Sequence, residues 1–187
     1  MKLPLNFYLR DNVVKISQEL LGCLLFTSIE GLLTGGKIIE TEAYRGPEDR
    51  ASHAYKNRLT KRNQVMFQEG GVIYVYLCYG IHSMLNIVTN HQGLPHAILI
   101  RAITPLIGIN TMLQRRQKKK IDKTFVNGPG RVAQALGIDK NLNGYSLLEE
   151  TIWIEKGKPS KTIIAKPRVG IDYAGQDALL PWRFLFK

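Results

Sequence analysis

The chain has 187 residues, 44% of them hydrophobic, with 26 Lys and Arg against 15 Asp and Glu and a formal net charge of +11. That length fills one sizeable core and is short for two, so a single domain over residues 1–187 is expected. No apolar run nears the ~20 residues of a spanning helix and no charged-then-apolar leader is visible, so an intracellular protein off the membrane is expected. The cationic surplus puts nucleic acid first among partners, ahead of an anionic membrane surface or mere solubility.

In chain order, Asp11 reads as the N-cap of a helix that buries Val13, Ile16 and Leu20 and ends at Gly22. Cys23, like Cys78 further on, fits a small buried thiol in a reducing compartment, although one bridge between them is not excluded. Five glycine-punctuated runs rich in β-branched and aromatic residues then predict strands: Cys23 to Ile29, Leu32 to Tyr44, Val72 to Cys78, Met84 to Val88 and Ala97 to Ile103. Thr104-Pro105 reads as the N-cap and first position of a helix burying Ile109, Met112 and Leu113. Arg115, Arg116, Lys118, Lys119 and Lys120 read as a solvated basic loop. Asn127-Gly128-Pro129-Gly130 turns into a short helix through Val132 and Leu136, stopped at Gly137. Thr151 to Glu155, Lys161 to Ala165 and Arg168 to Ile171 look strand-like, followed by Pro181-Trp182-Arg183-Phe184. The pattern implies an α+β fold, one mixed domain around a curved antiparallel β-sheet with peripheral helices and a protruding β-hairpin.

Several polar residues stand where apolar ones are expected. Alternation puts Ile38, Glu40, Glu42 and Tyr44 on one strand face. If that face lines a pocket, Glu42 can act as a general base on water while Tyr44 offers a flat surface to a bound ring; the competing reading is an exposed edge strand with solvated glutamates. Arg101 interrupts an apolar run, and a buried guanidinium needs an anion: Glu42 is one candidate, another carboxylate the alternative. Tyr74 and Tyr76 share a face, whereas Tyr79 precedes Gly80 at the hairpin tip, where an aromatic can wedge between base steps or simply pack. Cys78, His82, His91 and His96 match no usual zinc spacing, so no metal is expected. Lys156, Lys158, Lys161 and Lys166, with Lys56, Arg58, Lys61 and Arg62, are candidate phosphate contacts, each a weak signal alone.

Together these segments closely resemble the alkyladenine (3-methyladenine, methylpurine) DNA glycosylase family. The strongest blocks are Glu40-Thr41-Glu42-Ala43-Tyr44, Asp49-x-Ala51-Ser52-His53, Thr60-x-Arg62-Asn63-x-x-Met66-Phe67, Tyr74-Val75-Tyr76-x-x-Tyr79-Gly80, Leu99-Ile100-Arg101-Ala102 and Asn127-Gly128-Pro129-Gly130. Arg168-Val169-Gly170-Ile171 and Pro181-Trp182-Arg183-Phe184 extend the match to the C-terminus. Asn57-Arg58-Leu59 departs from it, since many relatives carry a glycine there.

The resemblance implies that Glu42 activates water, that Arg101 helps position it, and that Tyr44, His53 and Tyr76 surround a flipped base. It implies that Asn86 disfavours guanine through its exocyclic amino group and that Tyr79 fills the gap left in the duplex. The partner would be double-stranded DNA containing damaged purines, bound by a monomer, with no cofactor, and the product an abasic site without strand cleavage. Two competing classes are a non-catalytic nucleic-acid-binding module, against which Glu42 beside Tyr44 argues, and a metal-dependent nuclease, whose ligand cluster these residues do not supply.

Overall fold

Short β-branched and aromatic runs do become strands, and each pairing between them is antiparallel. The computed structural model describes residues 1–158 and 162–187. Its strands are β1 (Leu24–Ile29), β2 (Leu32–Arg45), β3 (Ile73–Cys78), β4 (His82–Thr89), β5 (His96–Ile107), β6 (Ile152–Glu155), β7 (Ile163–Lys166) and β8 (Arg183–Phe186). They form one curled sheet in the order β3-β4-β5-β2-β1-β6, with β8 paired to β2 and β7 to β8. Helices α1 (Leu5–Tyr8), α2 (Val13–Glu19), α3 (Ile109–Arg115) and α4 (Pro129–Leu136) lie around it. The expected α+β class, a curved antiparallel sheet with peripheral helices and a projecting hairpin, is what forms.

Alternation along the strands divides the side chains between two environments. Ile73, Val75, Ile98 and Ile100 join Val13, Ile16 and Leu20 of the α2 segment and Val132 and Leu136 of α4 in the main core. Each such aliphatic side chain stabilises the fold by about 1.5–3 kcal/mol relative to exposure. Their neighbours Tyr74, Tyr76 and Ala97 face the other way, against Val65 and Met66.

The pairing of the long strand β2 with β5 has three register shifts, two of them on either side of Glu40. Ile38 pairs with Ile103 and Glu40 with Ala102, which leaves Ile39 as an extra residue on β2; Thr41 then pairs with Ile100, which leaves Arg101 as an extra residue on β5. A bulge inverts the parity of the residues beyond it. Ile38 therefore does not share a face with Glu42 and Tyr44, as simple alternation predicts, but points into the core with Ala43.

Other expectations change for local reasons. The cap of α2 is Asn12, whose side chain accepts the Lys15 N–H at 2.9 Å, not Asp11 one residue earlier. The single turn α1 is too short to leave a periodic signal, yet Tyr8 on it is fully buried. Thr104 and Pro105 continue β5, where Pro105 sits opposite Gly36 beside a further extra residue, Leu106, a place where a strand tolerates a missing N–H. Helix α3 starts four residues later than expected, at Ile109, with Gly108 as its N-cap at φ 70°. Arg115 and Arg116 are half-buried and engaged rather than free in a loop: Arg115 reaches Thr34 Oγ1 at 3.2 Å and the Ala135 carbonyl at 3.4 Å, and Arg116 donates to the Phe125 carbonyl at 3.0 Å. Helix α4 ends at Gly137, left-handed as expected. Arg168–Ile171 is not a strand, whereas Arg183–Phe186 is. Lys161 lies outside the described residues.

Two glycines separate conformational from steric demand. Gly31 has φ 74° with nothing within 4 Å of a built Cβ, while at Gly108 a Cβ would lie 2.2 Å from the Leu33 carbonyl oxygen. Gly31→Ala should cost about 1–2 kcal/mol for the left-handed backbone alone. Gly108→Ala should lose about 1–3 kcal/mol beyond that from the clash. Urea denaturation of the two variants measures the difference directly.

Candidate active site

Glu42 is completely buried although its strand neighbours open onto a cavity. Such a carboxylate must find compensating partners, and two hydrogen-bond donors and one cation supply them. Its Oε1 accepts the Val169 backbone N–H at 2.9 Å and lies 3.3 Å from Arg101 Nη1, and its Oε2 accepts the Tyr44 hydroxyl at 2.8 Å. Glu40 adds a second carboxylate to the cluster, accepting Arg101 Nε at 3.0 Å and Arg183 Nη1 at 2.9 Å. The largely buried Arg101 thus has both carboxylates as partners, where the sequence suggests one or the other.

Burial pushes the Glu42 carboxyl above its ordinary value, against the pull of Arg101, the Val169 N–H and the Tyr44 hydroxyl. The Tyr44 hydroxyl is itself held well above the usual phenol range by burial and then by Glu42, so it remains a donor.

The cavity beside this cluster has a volume of about 450 Å³, and Tyr44, His53, Tyr76, Tyr79, Asn86 and Arg101 all line it. Six of the seven residues singled out from the sequence therefore share one wall system. The seventh, Glu42, stands directly behind Tyr44, Arg101 and Val169, which do line it. The aromatic set is mutually packed: the His53 and Tyr76 rings meet edge to face at 4.6 Å, and Tyr74 and Tyr76 lie 5.4 Å apart. His53 Nδ1 shares a 2.9 Å hydrogen bond with the Tyr74 hydroxyl. Burial, then the nearby Arg62, lowers the His53 pKa to about 4, so the imidazole is neutral at physiological pH and presents one donor and one acceptor. Asn86, on β4 opposite Tyr74, is fixed by donating from Nδ2 to the Tyr74 carbonyl at 3.2 Å and the Met84 carbonyl at 3.3 Å.

The β3–β4 hairpin projects at the edge of this cavity. Cys78 pairs with His82, Tyr79 and Gly80 take φ 51° and 73°, and the Ile81 N–H returns to the Cys78 carbonyl at 3.2 Å. Two successive left-handed residues match the twist of the flanking strands. The tip leaves Tyr79 91% and Ile81 73% exposed, an unusual use of large apolar side chains.

Of the basic residues, Arg62 lines the cavity and stacks 4.9 Å from the Tyr76 ring centroid, and Arg58 and Arg62 share an adjoining cleft with Arg50. Lys156 instead lines a separate cleft with Leu3, Phe7 and Cys23. Cys78, His82, His91 and His96 do not converge: among the described residues no group of three or more His, Cys, Asp or Glu is gathered in metal-binding fashion. No helix among those residues is long and apolar enough to cross a membrane.

Residue order alone does not reveal several members of the cluster. Parity places Tyr74 beside Tyr76 without giving it a role, and Glu40 and Arg183 are legible only as charges. Val169 acts through a backbone N–H, for which residue type gives no signal.

Comparison with known proteins identifies the family. The family described as Methylpurine-DNA glycosylase (MPG) matches residues 6–187. A protein of Chlamydia abortus is 54% identical over 98% of this chain and 97% of its own length. Relatives in Chlamydia felis and Bacillus licheniformis are 52% and 42% identical, each over 99% of this chain and over 96% and 93% of their own lengths. All three bear the name "Putative 3-methyladenine DNA glycosylase". A match of that extent, on a chain whose Glu42–Arg101 pair adjoins an aromatic cavity, shows that the chain belongs to the methylpurine-DNA glycosylase family.

Proposed function

We propose that this DNA glycosylase takes duplexes carrying 3-methyladenine, 7-methylguanine or hypoxanthine, turns the damaged nucleotide out of the helix and hydrolyses its N-glycosidic bond with water. The observation that supports the reading most is the Glu42 carboxylate, ionisable, immobilised by two hydrogen bonds and an ion pair and separated from the cavity only by the groups that bind it. In this reading water attacks C1′ of the deoxyribose and gives a proton to Glu42, while the electrons of the breaking C1′–N bond leave with the base. An alkylated purine departs neutral, having entered as a cation. Arg101 steadies the carboxylate and the water.

The remaining lining fits the same sequence of events. The Tyr44 and Tyr76 rings offer faces to a flat base, and a cationic one gains most from them. Asn86 crowds the 2-amino group of guanine with an amide already committed to backbone carbonyls. Tyr79 occupies the stack that the flipped nucleotide vacates. No lysine lines the cavity among the described residues, which favours direct hydrolysis to an abasic site over a Schiff-base route.

Glu42→Gln retains the shape but cannot accept the proton. Single-turnover excision of hypoxanthine should slow by about 10²–10⁴-fold with lesion affinity retained. Because the folded-state pKa of Glu42 is raised, ionising it costs stability as pH rises through that value, and Arg101 keeps Glu40 as a partner. The variant should therefore melt at or above the wild-type temperature at neutral pH; normal melting with a wild-type rate would remove Glu42 as the base. The wild-type rate should also fall on the acid side through a pKa above the ordinary carboxylate value, and this limb should vanish in Glu42→Gln. Tyr79→Ala should lose about 1–3 kcal/mol of stacking in the flipped complex, read by 2-aminopurine fluorescence beside the lesion, while melting stays unchanged.

A further inference from the structure

Arg168 and Asp49 form an ion pair whose side chains are wholly inaccessible to solvent, and neither lines the cavity. A buried pair of this kind is a weak source of stability, since desolvation opposes the Coulombic gain. Its contacts converge on one short stretch of β2. Arg168 Nη1 donates to the Ala43 carbonyl at 2.9 Å and to Asp49 Oδ2, and Nη2 donates to Asp49 Oδ1 at 2.9 Å and the Asp177 carbonyl at 3.1 Å. The guanidinium stacks 4.8 Å from the Tyr44 ring centroid and 5.2 Å from that of Trp182. The very next residue, Val169, supplies the N–H on Glu42 Oε1. Asp49 in turn accepts the Ala51 N–H at 2.9 Å, which secures the loop leading to His53.

We infer that Arg168 is a positioning residue for the hydrolysis, fixing the three consecutive residues Glu42, Ala43 and Tyr44 through its guanidinium and the amide of the next residue. Glu42 is held by the Val169 N–H, Ala43 by its carbonyl, and Tyr44 by the stacked cation. Asp49 orients the guanidinium by taking two of its N–H groups, so the pair works as a clamp between the 168–177 segment and the strand that carries the carboxylate. Arg101 from β5 and Arg183 from β8 act on the same cluster from the sheet, Arg183 through Glu40. Neither replaces the Val169 amide, so Oε1 loses a donor when that amide drifts. Loss of a donor to a carboxylate raises its pKa, so releasing the clamp has a signature that general destabilisation lacks.

The inference rests on the reading of Glu42 as the base, and the test separates the two. Arg168→Lys keeps the charge but not the planar fork. Assayed well below its own melting point, it should excise hypoxanthine about 10- to 100-fold more slowly in single turnover, as expected of a misplaced reacting group, with affinity for the lesion duplex little changed. The acid limb of its pH–rate profile should move to higher pH, since Glu42 loses the Val169 donor while retaining Arg101, Tyr44 and the repulsion of Glu40. Wild-type rate and limb in the folded variant overturn the inference, and so does a slower rate with an unmoved limb, which marks a purely structural pair. Glu42→Gln is measured in parallel: if it excises normally, the reading of the base falls and this inference with it. If Glu42→Gln is slow and Arg168→Lys is normal, only the clamp falls. Should Arg168→Lys not fold, Asp49→Asn is read in the same way. Amide exchange at Val169 in the wild-type protein is the independent measurement, with strong protection expected and exchange at the rate of a free loop amide overturning the clamp.

Discussion

A carboxylate buried without solvent access sets the terms for everything near it. Glu42 needs compensating partners, and they come from three places in the chain: Tyr44 two residues on, Arg101 on β5 and Val169 after a long connection, while Arg183 on β8 pairs with the neighbouring Glu40. Unmatched, the ion would cost several kcal/mol; matched, it ties the strand order at the middle of the sheet to a polar cluster. The pairing of β8 with β2 at Glu40, Thr41 and Glu42 brings Arg183 beside the pair.

The cavity next to this cluster combines a cationic surrounding with a largely neutral interior. Of its two arginines, Arg101 is offset by Glu40 and Glu42, and Arg62 sits exposed over a ring at the margin. His53 is uncharged at physiological pH because burial opposes its protonation, and burial also holds the Tyr74 hydroxyl up at about 12. In the function proposed above, long-range attraction to phosphate and short-range tolerance of a positively charged base fall to different residues, which a uniformly basic cleft cannot achieve.

Much of this is legible from residue order. Period-two runs give the antiparallel sheet, the parity of Tyr74 and Tyr76 places both rings on the cavity side, and the Tyr79-Gly80 turn marks the hairpin tip. The lone Arg101 in an apolar run announces a buried cation. The parts that residue order hides depend on three-dimensional closure. Pro105 looks like a helix start because proline is common there, but a strand irregularity absorbs its missing N–H. The basic cluster at Arg115 and Arg116 looks solvated because neither Thr34 nor the Phe125 and Ala135 carbonyls can be foreseen as partners. Val169 contributes a main-chain amide, and Arg168 finds Asp49 across 119 positions.

The extra residues Ile39 and Arg101 lie on adjacent strands and flank the same residue, Glu40, from opposite sides. They behave like a pair of opposite dislocations in a lattice: each displaces the register by one, and together they cancel. On either side of the short segment between them, from Gly36 to Ile38 and from Thr41 to Arg45, the pairing of β2 with β5 keeps one register, so this pair of irregularities distorts only the place where polar chemistry is needed. Length changes here are consequently coupled. Losing either residue alone would shift every partner on one side of Glu40, whereas losing both would restore a regular ladder at the expense of the very guanidinium that the two carboxylates require.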